Sequence, residues 1–240
     1  MWPKIGVALI MASLTSANPS TRVPGNFESH PSKLEMNRIV GGVKAEPQAF
    51  PWQVQLPFSQ CGGTIICPKF VLTAFHCVDH GWQKLLAMYF PIIVGTNIKT
   101  SPFGSDLLEK GATRHKISEI ISHPKAAIVG NITQFDYALL KLAKPIKFWN
   151  GSMPIYLPQP SDTQKLKPGS KFVVSGWGTT QNPRESPKKL RAVSLFYLPE
   201  PFCPIRRKSS PDQLCAGVLR GGKDACSGDS GGQSELENLI

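Results

Sequence analysis

The sequence predicts an all-β fold, and three observations carry that prediction. Its 240 residues include 21 glycines and 22 prolines, a density of turn-formers that suits many short strands better than long helices. Between those turns recur runs of three to five β-prone or alternating residues. No stretch sustains a helical period, and no repeat of constant spacing is present. Strand patterning alone leaves a barrel and a sandwich both open.

Taken in chain order, Lys4 precedes an apolar run over 5–12 that continues to Leu14, and Thr15-Ser16-Ala17 offers the small residues of a cleavage site. This is the pattern of a signal peptide over 1–17, too short to span a bilayer, and it predicts a secreted, extracellular protein. No later run is long and apolar enough to predict a membrane span. Residues 18–38 are rich in Pro, Ser, Asn and charge without periodicity, as expected of a pro-peptide. It ends at Asn37-Arg38, just before Ile39-Val40-Gly41-Gly42, where an exposed arginine would suit an Arg-directed activating protease. Strands are then expected at Gln53-Val54-Gln55-Leu56, Gly63-Thr64-Ile65-Ile66, Phe70-Val71-Leu72, Ala138-Leu139-Leu140-Lys141-Leu142 and Lys171-Phe172-Val173-Val174. Asn131-Ile132-Thr133 and Asn150-Gly151-Ser152 are glycosylation sequons, so Asn131 and Asn150 are candidate carriers of glycan.

Composition is that of a chain able to bury a core, with 41% hydrophobic and 18% charged residues. The formal charge is +11, yet Lys and Arg are dispersed and form no nucleic-acid motif, so a solvated basic surface is the expectation and no nucleic-acid partner is called. A secreted basic module for anionic polymers is a separate reading that rests on charge alone.

Three residues stand out chemically. His76 follows the apolar run Leu72-Thr73-Ala74-Phe75, and Asp136 opens Asp136-Tyr137-Ala138-Leu139-Leu140. Singly, each fits a structural histidine or a turn carboxylate. Ser230 in Gly228-Asp229-Ser230-Gly231-Gly232 is the stronger signal: flanking glycines permit a tight turn that exposes the hydroxyl and aims main-chain N–H groups at a developing oxyanion. In the order His76, Asp136, Ser230, with Arg38-Ile39-Val40-Gly41-Gly42, Cys61-Gly62-Gly63, His76-Cys77 and Gly176-Trp177-Gly178, the chain resembles the trypsin/chymotrypsin family of serine proteases.

That resemblance implies two antiparallel six-stranded barrels with the site in the cleft between them. It implies a serine endopeptidase domain over 39–240 that acts on proteins or peptides as a monomer, without a cofactor, and that meets protein protease inhibitors. His76 would be the base, Asp136 would orient it, Ser230 would be the nucleophile, and the N–H groups of Gly228 and Ser230 would form the oxyanion hole. Asp229 would pair with the α-amino group freed on Ile39 by cleavage after Arg38, making the chain a zymogen. Asp224 matches the acidic base of the pocket that takes Arg or Lys, and Ala225 replaces a frequent Ser, which tilts the preference toward Arg. The six cysteines allow 15 pairings if all are bonded; the resemblance selects Cys61–Cys77 and Cys203–Cys215 and leaves Cys67 and Cys226, with Cys67 read as a buried free thiol. The loop after Gly95 lacks the acidic pair of calcium-binding members, so no metal is expected. The family chain continues for several tens of residues past its Gly-Asp-Ser-Gly-Gly motif. The second barrel is therefore expected to be incomplete at its C-terminal end, and the tail at 233–240 departs from the family's apolar strand. A catalytically impaired homologue with a binding or regulatory role is the alternative expectation.

Overall fold

In the computed structural model the described residues are 42–79, 81–101, 108–129, 132–148, 151–179, 187–199, 202, 213–218, 228–232 and 234–236. The strands run β1 (Val43–Lys44), β2 (Gln53–Leu56), β3 (Cys61–Cys67), β4 (Phe70–Thr73), β5 (Ile92–Val94), β6 (Thr113–His115), β7 (Ile117–Ser122), β8 (Ala127–Val129), β9 (Ile132–Gln134), β10 (Ala138–Leu142), β11 (Lys171–Gly176), β12 (Arg191–Leu198), β13 (Cys215–Gly217) and β14 (Ser234–Leu236). A single α-helix, α1 (Trp82–Tyr89), interrupts them among the described residues.

The larger sheet has the order β6-β5-β2-β3-β4-β10-β7, all antiparallel. Its two edges, β6 and β7, are separated in sequence by Lys116 alone. They are halves of one bent strand, so the seven segments close as a six-stranded barrel. The interior is filled by Val54, Leu56, Ile65, Val71, Ile92, Val94, Ile117, Leu140 and Leu142. Each such side chain taken out of water contributes about 1.5–3 kcal/mol.

The second sheet has the order β1-β12-β11-β14, with β13 pairing the far end of β12, and its core contains Val174, Val193 and Leu195. β1 belongs to this second sheet, pairing Val43 with Ala192 and Lys44 with Arg191, so the chain crosses from one sheet to the other between β1 and β2. At 234–236 the tail lies antiparallel on β11 (Phe172 opposite Leu236, Val174 opposite Ser234), so this part of it takes up a strand position that its polar composition did not advertise.

Strand β2 shows how the sheets meet. Alternation predicts one buried face; all four residues are buried. Val54 and Leu56 point into the first core, while Gln53 and Gln55 are covered from outside. Gln53 Oε1 accepts from Ser175 Oγ of β11 at 2.7 Å, and Gln55 Oε1 accepts from Thr100 N (3.1 Å) and Oγ1 (2.6 Å). The polar face of an ordinary-looking strand thus forms the seam.

Helix α1 is a departure from the expectation of no helix. It starts after Gly81, whose φ of +52° suits glycine, and it buries Ala87 while Trp82, Leu85, Met88 and Tyr89 face outward. Its large apolar residues sit on the solvent side, so the pattern that normally announces an amphipathic helix is reversed.

Candidate active site

The turn bearing His76 is built by the end of β4. Thr73 Oγ1 donates to Gly62 O at 2.8 Å, and a 3-10 turn over Phe75–Cys77 follows. The Cys61–Cys77 disulfide ties this turn to the start of β3 with a Cα–Cα distance of 6.2 Å. His76 is half-buried there. Its Nδ1 lies 2.7 Å from Asp136 Oδ2, and its main-chain N donates to Asp136 Oδ1 at 2.9 Å. Both oxygens of a buried carboxylate are therefore committed to one residue. The ring orientation assigns the proton to Nδ1 and leaves Nε2 as an acceptor.

Asp136 sits in a loop of unusual conformation. Phe135 has a φ of +47°, left-handed for a bulky residue, and Tyr137 N donates to Phe135 O at 2.8 Å. The rings on either side of Asp136 both pack on His123, with centroids at 4.9 Å from Phe135 and 4.7 Å from Tyr137, and Lys125 Nζ lies 5.6 Å from the Phe135 centroid. Sequence reasoning assigned nothing to His123, Phe135 or Tyr137. The strain at Phe135 is held by this stack.

Ser230 occupies a glycine-dependent turn. Gly232 N donates to Asp229 O at 3.0 Å, closing it, and Gly62 N donates to Ser230 O at 2.8 Å, pinning it to β3. Gly228 and Gly231 have φ of +101° and +78°. A Cβ on Gly231 would lie 2.6 Å from Gly62 O, and one on Gly228 would lie 2.9 Å from Gly178 Cα. The N–H groups of Gly228 and Ser230 have no hydrogen-bond partner among the described residues. Cys77 Sγ touches both halves of the constellation, 3.5 Å from His76 Nε2 and 3.8 Å from Ser230 O. No hydrogen bond joins His76 Nε2 to Ser230 Oγ among the described residues. Such contacts commonly tighten only when substrate is bound.

Asp229 is buried beside Gly176-Trp177-Gly178. Its Oδ1 accepts from Gly178 N at 2.8 Å, and a Cβ on either Gly176 or Gly178 would collide with the carboxylate. The glycines of this motif exist to admit Asp229. Lys99 adds a cation to the same neighbourhood, its Nζ donating to Trp177 O at 3.3 Å. Burial pulls the Lys99 ammonium below its usual pKa, against the opposing charge of Asp229. The loop carrying Lys99 is held from the other side by Glu109, which accepts from Thr96 Oγ1 (2.6 Å), Asn97 N (2.7 Å) and Ile98 N (3.2 Å).

Cys61, His76 and Cys77 present ligand atoms within 4.8 Å of one another, but the disulfide consumes both sulfurs and Asp136 takes Nδ1. Nothing there suits a metal ion. Cys67 is a free, partly buried thiol, and Cys215 is disulfide-bonded. Arg38, Ile39, Asn131, Asn150, Cys203, Asp224, Ala225 and Cys226 lie outside the described residues, as do the segments called signal peptide and pro-peptide. No helix among the described residues is long and apolar enough to cross a membrane.

A family profile described as Trypsin matches residues 39–233. Trypsin 5G1 of Aedes aegypti is 33% identical over 226 residues, covering 88% of this chain and 78% of its own. Tonin of Rattus norvegicus is 37% identical over 213 residues (85% and 77%), and glandular kallikrein of Sus scrofa is 34% identical over 204 (82% and 79%).

Proposed function

The chain belongs to the trypsin family of serine proteases, and on that premise we propose that it is a secreted endopeptidase, made as a zymogen, that hydrolyses peptide bonds after Arg or Lys. The observation that carries the reading is the two-point grip of Asp136 on His76, at 2.7 and 2.9 Å, beside the Ser230 turn. In the proposed reaction Ser230 Oγ attacks the carbonyl carbon as its proton passes to His76 Nε2. The oxyanion is held by the N–H groups of Gly228 and Ser230. The C–N bond then breaks, His76 returns the proton to the leaving amine, and water releases the acyl group by the same steps in reverse order. Asp136 stabilises the imidazolium throughout.

Asp224 is assigned to a substrate Arg or Lys, with Arg preferred because Ala225 contributes no hydroxyl to the pocket. Activation is assigned to cleavage after Arg38, the Ile39 amine then pairing with Asp229. Two features support this order. Arg191 Nη2 donates to Gly42 O at 2.5 Å, anchoring the chain three residues past Ile39, and Asp229 lies buried where a cation would be stabilised. An activating Arg-directed protease and protein substrates are the partners this reading requires.

A fluorophosphonate reagent tests it. The full chain, treated with trypsin, should label stoichiometrically at Ser230 and cleave Arg-amide substrates with a higher kcat/KM than Lys-amides. The untreated chain and Ser230→Ala should not label. Labelling of Ser230→Ala, or none of the treated parent, would refute the assignment.

A further inference from the structure

The three adjacent strands β4, β10 and β7 carry the candidate site at one end. Thr73 leads to His76, Ala138 follows Asp136, and Ser122 leads to His123. At the opposite end the same strands gather lysines. Lys69 precedes β4, Lys116 precedes β7, and Lys144 and Lys147 follow β10. Main-chain bonds hold these segments together: Leu142 N to Lys69 O (2.9 Å), Ala143 N to Lys116 O (2.9 Å) and Ile146 N to Pro68 O (2.7 Å). Buried Ile146 anchors the segment that bears Lys144 and Lys147.

All four side chains are exposed, and none is ion-paired among the described residues. The nearby acid, Glu119, is already engaged by Lys141 at 2.9 Å. Three neighbouring strands span about 10 Å, close to the screening length at physiological salt, so the four fields add. Dispersed in sequence, these lysines are concentrated by the fold.

We infer that this end of the first barrel is a docking surface for a linear sulfated polysaccharide. Flexible ammonium groups on strand-end turns suit a chain of repeated anions and read no shape finer than charge spacing. The segments that bear the four lysines, 68–70, 115–117 and 143–148, expose no aromatic ring on which nucleic-acid bases could stack and no large apolar side chain to enter a membrane. The strands are four to six residues long, which puts the surface roughly 14–20 Å from the His76–Asp136 end and leaves the cleft open. Tethering and peptide hydrolysis are therefore separable, and this inference does not depend on the proposed reaction.

The test compares two quadruple variants of equal net charge on immobilised heparin. Lys69→Ala/Lys116→Ala/Lys144→Ala/Lys147→Ala should elute at clearly lower NaCl than the parent and bind soluble heparin at least about tenfold more weakly. Lys44→Ala/Lys165→Ala/Lys167→Ala/Lys188→Ala should stay within about twofold of the parent. Equal losses in the two variants would reduce the effect to net charge and overturn the inference. So would patch-dependent binding of single-stranded DNA or of phosphatidylserine vesicles as tight as that of heparin. Acylation footprinting of the unsubstituted chain covers the case in which the patch variant fails to fold. Heparin should protect Lys69, Lys116, Lys144 and Lys147 at least about threefold more than Lys44, Lys165, Lys167 and Lys188, and uniform protection would count against the patch.

Discussion

Asp136 illustrates how much one buried side chain can decide. One oxygen accepts from the His76 ring and the other from the His76 main chain, so the carboxylate sets both the position of the residue and the tautomer of its ring. Asp136→Asn keeps the size and can keep the main-chain bond. It places either an amide N–H against Nδ1, forcing the proton onto Nε2, or a neutral carbonyl there, removing the charge that would steady an imidazolium in the proposed reaction. The expected outcome is a kcat lower by about four orders of magnitude with little change in melting temperature, read from amidase kinetics beside a thermal scan. A loss of activity that tracked a loss of folding would instead assign Asp136 a structural role. The residues of this contact are legible in sequence because motif and chain order point to them. The stack of Phe135 and Tyr137 on His123 is not: it joins residues 12 and 14 positions apart through an irregular turn, and neither alternation nor spacing encodes a left-handed Phe135.

Among the elements, the loop after β5 does more than connect strands. It pairs with the segment before β12 through Lys99 N to Lys188 O (2.7 Å) and Leu190 N to Asn97 O (2.7 Å), and Asn97 O accepts from Trp177 Nε1 at 3.1 Å. Glu109 keeps it in shape. Burial pushes this carboxyl up, but the Thr96 hydroxyl, the N–H groups of Asn97 and Ile98 and the charge of Lys189 together outweigh it and hold the pKa below the ordinary 4.5. The unfolded chain therefore takes up a proton at a higher pH than the folded one. The stabilisation is complete above 4.5 and is lost as pH falls through the lower, folded value. Glu109→Gln should cost about 1 kcal/mol at pH 7, and parent and variant should converge on acidification, as measured by denaturant unfolding across pH 3–7. A gap that stayed constant with pH would show that the charge contributes nothing. The same scale explains what the pattern reader meets and misses. Strands such as β10 announce themselves by alternation, whereas α1 hides because its apolar residues face solvent.

At the scale of the whole molecule, several contacts among the described residues couple the two larger sheets. Gly62 N reaches Ser230 O, the loop after β5 meets the segment before β12, and Gln53 meets Ser175. The last of these is the sharpest test of the coupling, because Gln53 Nε2 is buried with no hydrogen-bond partner among the described residues while its Oε1 relies on Ser175 Oγ. A buried polar group that loses its partner costs more than a pair removed together. Ser175→Ala alone should therefore destabilise by about 1–3 kcal/mol, whereas Gln53→Leu combined with Ser175→Ala should recover a large part of that loss. Equilibrium unfolding of the two single variants and the double variant measures the coupling, and strictly additive losses would mean that the seam bond carries no interaction energy. The double variant also asks whether the sheets unfold as one. If the polar seam imposes cooperativity, replacing it with apolar contact should leave stability near the parent's but lower the denaturant m-value, as the two barrels begin to melt separately.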